Sequence, residues 1–233
     1  MFCIIYNMAL SEFNQCINKS TYFDTFNETD KKLRFCTNID CKKDYMGSIR
    51  ILSKTEYDYL FRISIQKIND LFAMHKIFVQ IPWKIVICHD KESQFPHTHG
   101  DFIVLPDSIF EKHANHIMQT LIHEKVHVYQ RLYPCQTNIL FTKFWGFKIK
   151  TICNYSDMRR SNPDINKIVY IDDNGNKFDN DYVENATKLG EIKDKRDHPN
   201  EMMAYIIQDY FMQNAVHSKY VDGMQNWLKL GMF

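Results

Sequence analysis

Along the chain, hydrophobic and polar positions fall into segments of different period. Residues 1–48 show no sustained period; aromatic and polar residues mix there, with charge clusters at "DKKLR" and "CKKD". They read as an N-terminal extension of uncertain order ahead of one domain over 49–233. At Ser53 the pattern changes. "SKTE" has the form of a capping box, Ser53 capping and Glu56 reaching back. Behind it Leu60, Ile63, Ile68, Leu71 and Phe72 recur near one helical face, which predicts a long helix that Pro82 must end. "WKIVICHD" is short and β-branched, the pattern of a buried strand. "ESQFPHTHG" reads as a loop, and "DFIVLP" as a second strand closed by Pro106.

Further on, Ser108 and Glu111 make a second capping-box pattern and Pro134 marks a stop, predicting a helix over about 108–132. "NILFTKFWGFKIKTI" reads as another helix, with Gly146 against it. Asn-Gly within "NPDINKIVYIDDNGNKFDN" predicts a hairpin or an irregular excursion. Pro199 stands where the first turn of a helix over "DHPNEMMAYIIQDYFMQNAV" would begin. "SKYVDGMQNWLKL" predicts a short closing helix that Gly223 could break. The order predicts an α+β fold, with a small sheet ahead of a long helix and a mostly helical C-terminal half.

Composition adds boundaries to this picture. The chain of 233 residues is 45% hydrophobic and 24% charged, ordinary for a globular domain with a sizeable core. A formal net charge of +1, with basic residues scattered among acids, gives no footprint for nucleic acid. No run of about 18 apolar residues predicts a membrane span, and "MFCIIYNMAL" lacks the basic start and cleavage site of a signal peptide. The seven cysteines include no CxxC pair, which predicts free thiols in a reducing compartment and a cytoplasmic protein. Abundant Asn, Lys, Ile, Tyr and Phe match an A/T-rich genome such as that of a giant DNA virus or a protist. A viral chain would reside in host cytoplasm or virion.

The chemistry concentrates in "HEKVH", residues 123–127. On a helix, residues four apart stand one above the other, so His123 and His127 can grip one Zn²⁺ through imidazole nitrogens. Glu124 then lies beside the metal, placed to take a proton from an activated water and pass it to a leaving group. Ile117, Leu121 and Val128 form an apolar stripe with Met118, Ile122 and Tyr129 alongside, which predicts a largely buried helix. A catalytic zinc takes three protein ligands and keeps a position open. The HExxHxxGxxH variant is excluded, because Gln130 holds its glycine position and Tyr133 its last histidine. "HPNEMMA" instead offers Asn200, Glu201 and Ala204 in an NExxA spacing, with Glu201 in the first turn of its helix, where the dipole favours a carboxylate.

HExxH followed by NExxA resembles the gluzincin class of zinc metallopeptidases, to which thermolysin belongs. The resemblance covers these two helices and a strand before them. It implies a zincin-like fold, one Zn²⁺ on His123, His127 and Glu201, Glu124 as catalytic base and acid, and a peptide or protein substrate. It also implies an edge strand pairing with extended substrate, a place that "DFIVLP" takes in sequence order. The gap from His127 to Glu201 is longer than in the thermolysin pattern.

Other polar residues carry weaker signals. His198 reads as an N-cap or a supporting group, with direct ligation in place of Glu201 as the alternative. His97 and His99 read as a solvated or substrate-binding loop, and His113 and His116 as a polar helix face. Tyr155, Tyr182, Tyr205 and His217 are the candidates for an oxyanion donor. Arg159 and Arg160 read as a surface turn or a carboxylate site. No G-x-S-x-G, Walker A or G-x-G-x-x-G occurs. The expected activity is therefore zinc-dependent peptide hydrolysis. Its rivals are a catalytically inactive zincin-like binding or structural protein, for example a viral component, and a zinc hydrolase of non-peptide amides.

Overall fold

The computed structural model describes residues 2–34, 41–89, 95–152, 160–178, 181–191, 198–231 and 233. A four-stranded sheet lies between two helical layers. Its strands are β1 (Ile49–Ile51), β2 (Lys84–Cys88), β3 (His97–His99) and β4 (Phe102–Pro106), in the order β1-β2-β4-β3. β2 and β4 run parallel, and β1 and β3 are antiparallel to their neighbours. Alternation along the strands divides the core. Ile85, Ile87, Ile103 and Leu105 join the large cluster on one face, and Val86, Cys88, Phe102 and Val104 a smaller cluster on the other. The smaller cluster is completed by Phe13 and Ile17 of α1 (Phe2–Lys19) and Tyr45 of α3 (Cys41–Gly47). The N-terminal segment, which has no clear period, thus buries a face of the sheet.

The helix after Ser53 does begin with the expected capping box. It is not uniform, however. α4 (Lys54–Leu60) passes through a π-helical turn (Phe61–Ile65) into α5 (Gln66–Leu71), and after a break α6 (Lys76–Gln80) is a separate helix. The π turn inserts a residue, so the buried positions run Leu60, Ile65, Ile68, Phe72 and leave Leu71 at the surface.

"DFIVLP" is a strand, but an interior one. The edge is β3, in the stretch expected to be a loop, and His97 and His99 are buried there rather than solvated. The helix expected over 108–132 is shorter. Asp107–Glu111 forms a 3₁₀ turn, and His113 is extended (φ −63°, ψ 148°) before α7 (Ala114–Leu132) starts. Asp107 is held to the sheet by Arg50, at 2.6 Å, and by His89. The Ser108–Glu111 box therefore does not form.

Past Pro134, α8 (Pro134–Ile139) and a second π turn (Leu140–Phe144) end at Gly146, whose φ of +76° reverses the chain. "KIKTI" is consequently not helical: β5 (Lys148–Ile152) pairs with β6 (Ile168–Ile171), which forms the expected hairpin with β7 (Lys177–Phe178). α9 (Pro199–Phe211) starts with Pro199 in its first turn, and α10 (Lys219–Leu228) runs through Gly223 unbroken. Tyr155 and Arg159 lie outside the described residues. Among the described residues no helix is long and apolar enough to cross a membrane.

Candidate metal centre

α7 runs through the interior, and from Leu121 to Gln130 every residue is buried. Its apolar positions face the large core, while His123, Glu124, His127 and Gln130 share the side toward α9. Ala204, fully buried on α9, lets the two helices pack closely. Glu201, in the first turn of α9, thereby reaches both histidines. The Nε2 atoms of His123 and His127 stand 3.1 Å apart. Glu201 Oε2 lies 3.3 Å from the first and 3.5 Å from the second.

This triangle fits a metal ion. Donors at ~2.05 Å around a tetrahedral zinc are ~3.3 Å apart, against ~2.9 Å on one face of an octahedron. The observed 3.1–3.5 Å edges bracket the tetrahedral figure. Two imidazoles and one carboxylate are also the donor types zinc prefers. A second grouping, Glu124, His127 and Asp164, has donor atoms within 4.8 Å. Asp164 Oδ1, however, already accepts bonds from the backbone N–H of Thr98 (2.9 Å), its hydroxyl (2.5 Å) and Arg131 (3.1 Å). That oxygen anchors Thr98 and Arg131.

Hydrogen bonds fix how the donors point. Gln130 Nε2 donates to the Asn200 carbonyl (2.8 Å), so its Oε1, 3.0 Å from His127 Nδ1, must accept from that nitrogen. With Nδ1 fixed as the donor to Gln130, His127 turns Nε2 toward His123 and Glu201, and a metal ion bound there would take the place of the Nε2 proton. Glu201 is engaged on its other oxygen, where Oε1 accepts from Asn162 Nδ2 at 2.7 Å. His198 is the N-cap of α9, with Nδ1 accepting from Asn200 N–H (3.2 Å) and Nε2 donating to the Ile168 carbonyl (3.1 Å). With both ring nitrogens engaged, it supports Glu201 rather than replacing it.

Three carboxylates crowd these imidazoles. Burial, then the charges of Asp164 and Glu201, push the Glu124 carboxyl well above the usual carboxylate range, against the pull of His127. Burial alone would lower His127, but Asp164 and Glu201 outweigh it and push it up to about 9. Burial would raise Glu201, yet the charge of His127 and the bonds from both histidines hold it well below its ordinary range. Glu124 Oε2 is buried and has no hydrogen-bond partner among the described residues. Such an atom is short of a partner.

The site borders a cleft of ≈ 590 Å³ lined by His123, Glu124 and Glu201, with His116, Arg160 and Tyr205 on its walls. The Tyr205 ring stands edge-on to His123, centroids 4.5 Å apart. Of the other oxyanion candidates, Tyr182 is buried elsewhere and donates to Asp30, and His217 is exposed beside Asp222. Neither lines the cleft.

The edge strand departs from expectation in one more way. In an antiparallel pair alternate residues turn their main-chain groups outward. On β3 that residue is Thr98, whose N–H bonds Asp164 and whose carbonyl accepts from Arg131 at 3.2 Å. The position where extended substrate would pair is thus taken. Gln130, Arg131, Asn162 and Asp164 were not legible as site residues. Only Gln130 carried a signal, being three residues after His127 on the same helical face. Comparison with protein-family models, curated proteins and solved structures gives no match to this chain.

Proposed function

We propose that the protein is a zinc-dependent metallopeptidase with a zincin-like fold, of the type the HExxH and NExxA motifs resemble. The observation that carries this reading is the triangle of His123 Nε2, His127 Nε2 and Glu201 Oε2, with edges of 3.1–3.5 Å, opening on the cleft. Zinc, when bound, supplies Lewis acidity: it polarises a carbonyl and brings a water pKa to about 7. Structural zinc sites are closed by four protein ligands, whereas three donors facing a cleft suit catalysis.

The chain's own residues do the rest. Glu124, which lines the cleft, accepts the proton of the attacking water and returns it to the leaving nitrogen. Its environment favours the protonated form, and a cation between the ligands opposes that, leaving a carboxyl able to work in both directions. Gln130 holds the tautomer of His127, and Asn162 holds the carboxylate of Glu201. With Thr98 occupied, the substrate is gripped by the cleft walls rather than by pairing along β3. The substrate class is a peptide or protein. A cytoplasmic setting fits the free thiols of Cys16 and Cys135.

Glu124→Gln tests the mechanism. The variant keeps wild-type zinc content and loses hydrolysis of a fluorogenic peptide library by at least ~100-fold. A Glu124→Gln protein that retains turnover would eliminate Glu124 as the proton carrier.

A further inference from the structure

Glu201 reaches the two histidines from α9, which starts well beyond the turn over residues 160–167. What aims it lies further back in sequence. Asn162 Oδ1 accepts from the Asp164 backbone N–H at 2.8 Å, which settles the sense of its amide and turns Nδ2 to Glu201 Oε1 at 2.7 Å. Asn162 itself follows Ser161, and every polar group of Ser161 is held by the N-terminal segment. The Ser161 N–H lies 3.3 and 3.2 Å from the two oxygens of Asp30, a fully buried carboxylate. Its carbonyl accepts from Arg34 at 2.5 Å, and its hydroxyl donates to the Thr25 carbonyl at 2.9 Å. Asp30 is fixed in turn by the Tyr182 hydroxyl (2.8 Å) and by Arg34 Nε (3.4 Å).

We propose that Asn162 is a positioning residue for the metal ligand Glu201, anchored by Asp30 through Ser161. Residues 25–34 are then a structural part of the metal centre, neither an inhibitory lid nor a detachable arm. The inference rests on the reading of His123, His127 and Glu201 as a zinc site. A carboxylate bonded on one oxygen presents the other in one direction. Without Asn162 only the contacts of Oε2 with the two histidines still aim it, and the triangle is less firmly preformed. A buried carboxylate such as Asp30 keeps its place only while its bonds are made, so the anchor is stiff.

The test uses full-length protein stripped of metal. Zinc affinity is read by competition with a chromophoric chelator, and thermal unfolding of the metal-free forms is read beside it. Asn162→Ala weakens zinc roughly 10–100-fold, the range for groups that orient ligands, while the metal-free protein melts close to wild type. Asp30→Asn keeps the shape, releases Arg34, and weakens zinc in the same direction with a lower melting temperature. Wild-type affinity in a folded Asn162→Ala protein overturns the proposal, whether or not Asp30→Asn folds. A wild type that takes up no zinc overturns instead the zinc reading beneath it.

Discussion

Gln130→Met probes the machinery behind the ligands without touching one. The residue is 5% exposed and spans two groups, accepting from His127 Nδ1 at 3.0 Å and donating to the Asn200 carbonyl at 2.8 Å. Methionine fills nearly the same volume and makes neither bond. Two buried polar groups lose a partner, at about 1–3 kcal/mol each, so the metal-free protein loses about 2–6 kcal/mol. For a chain of this size that is a fall of roughly 4–24 °C in melting temperature. The tautomer of His127 is no longer dictated, which predicts zinc binding roughly 10–100-fold weaker. Gln130→Glu separates the two effects. A carboxylate still accepts from Nδ1 but cannot donate to Asn200, so stability falls while zinc affinity stays near wild type. Chelator competition and calorimetry on the three proteins suffice. Wild-type zinc affinity in Gln130→Met, or equal loss in Gln130→Glu, would refute the orienting role.

Two further predictions concern the frame around the site. Arg50 forks onto Glu56 (2.9 and 2.8 Å) and reaches Asp107, and its bond holds the Glu56 carboxyl down to about 2. The folded-state value is depressed, so the stabilisation is present above the unfolded value near 4.5 and is lost as pH falls toward 2. Arg50→Ala should lower stability at neutral pH by about 1 kcal/mol, discounted for exposure, and the deficit should vanish in denaturant titrations through that acid range. On α10, a β-carbon at Gly223 would lie 2.8 Å from both the Phe144 carbonyl and Trp145 Cδ1. Gly223→Ala forces backbone apart and should cost about 1–3 kcal/mol, read as a lower midpoint in urea.

Much of the site was written locally. HExxH and NExxA each fall within one helix, where spacing alone sets geometry, and Pro199 with His198 marks the start of α9. The residues that orient the ligands were not readable in this way. Asn162 and Asp164 sit in an Asn- and Asp-rich turn whose partners are set only by tertiary packing, and Asp30 lies more than a hundred residues from Ser161. The strands β2 and β4 stood out because both faces are buried and their runs are apolar. β3 did not, because "HTH" looks solvated until Phe13 and Tyr45 cover it. Its edge position in turn displaced "DFIVLP" from the substrate-pairing role. The phase slip at Leu71 and the lost capping box at Ser108 share a cause: a local pattern was overridden, once by a π turn and once by the hold of Arg50 and His89 on Asp107.

Metal content by mass spectrometry, on purified wild type beside Glu201→Ala, decides whether a zinc ion sits on His123, His127 and Glu201. The expected result is about one zinc per wild-type chain and little in the variant, since three protein ligands define such a site. No zinc in the wild type after reloading, or equal zinc in both proteins, would contradict it.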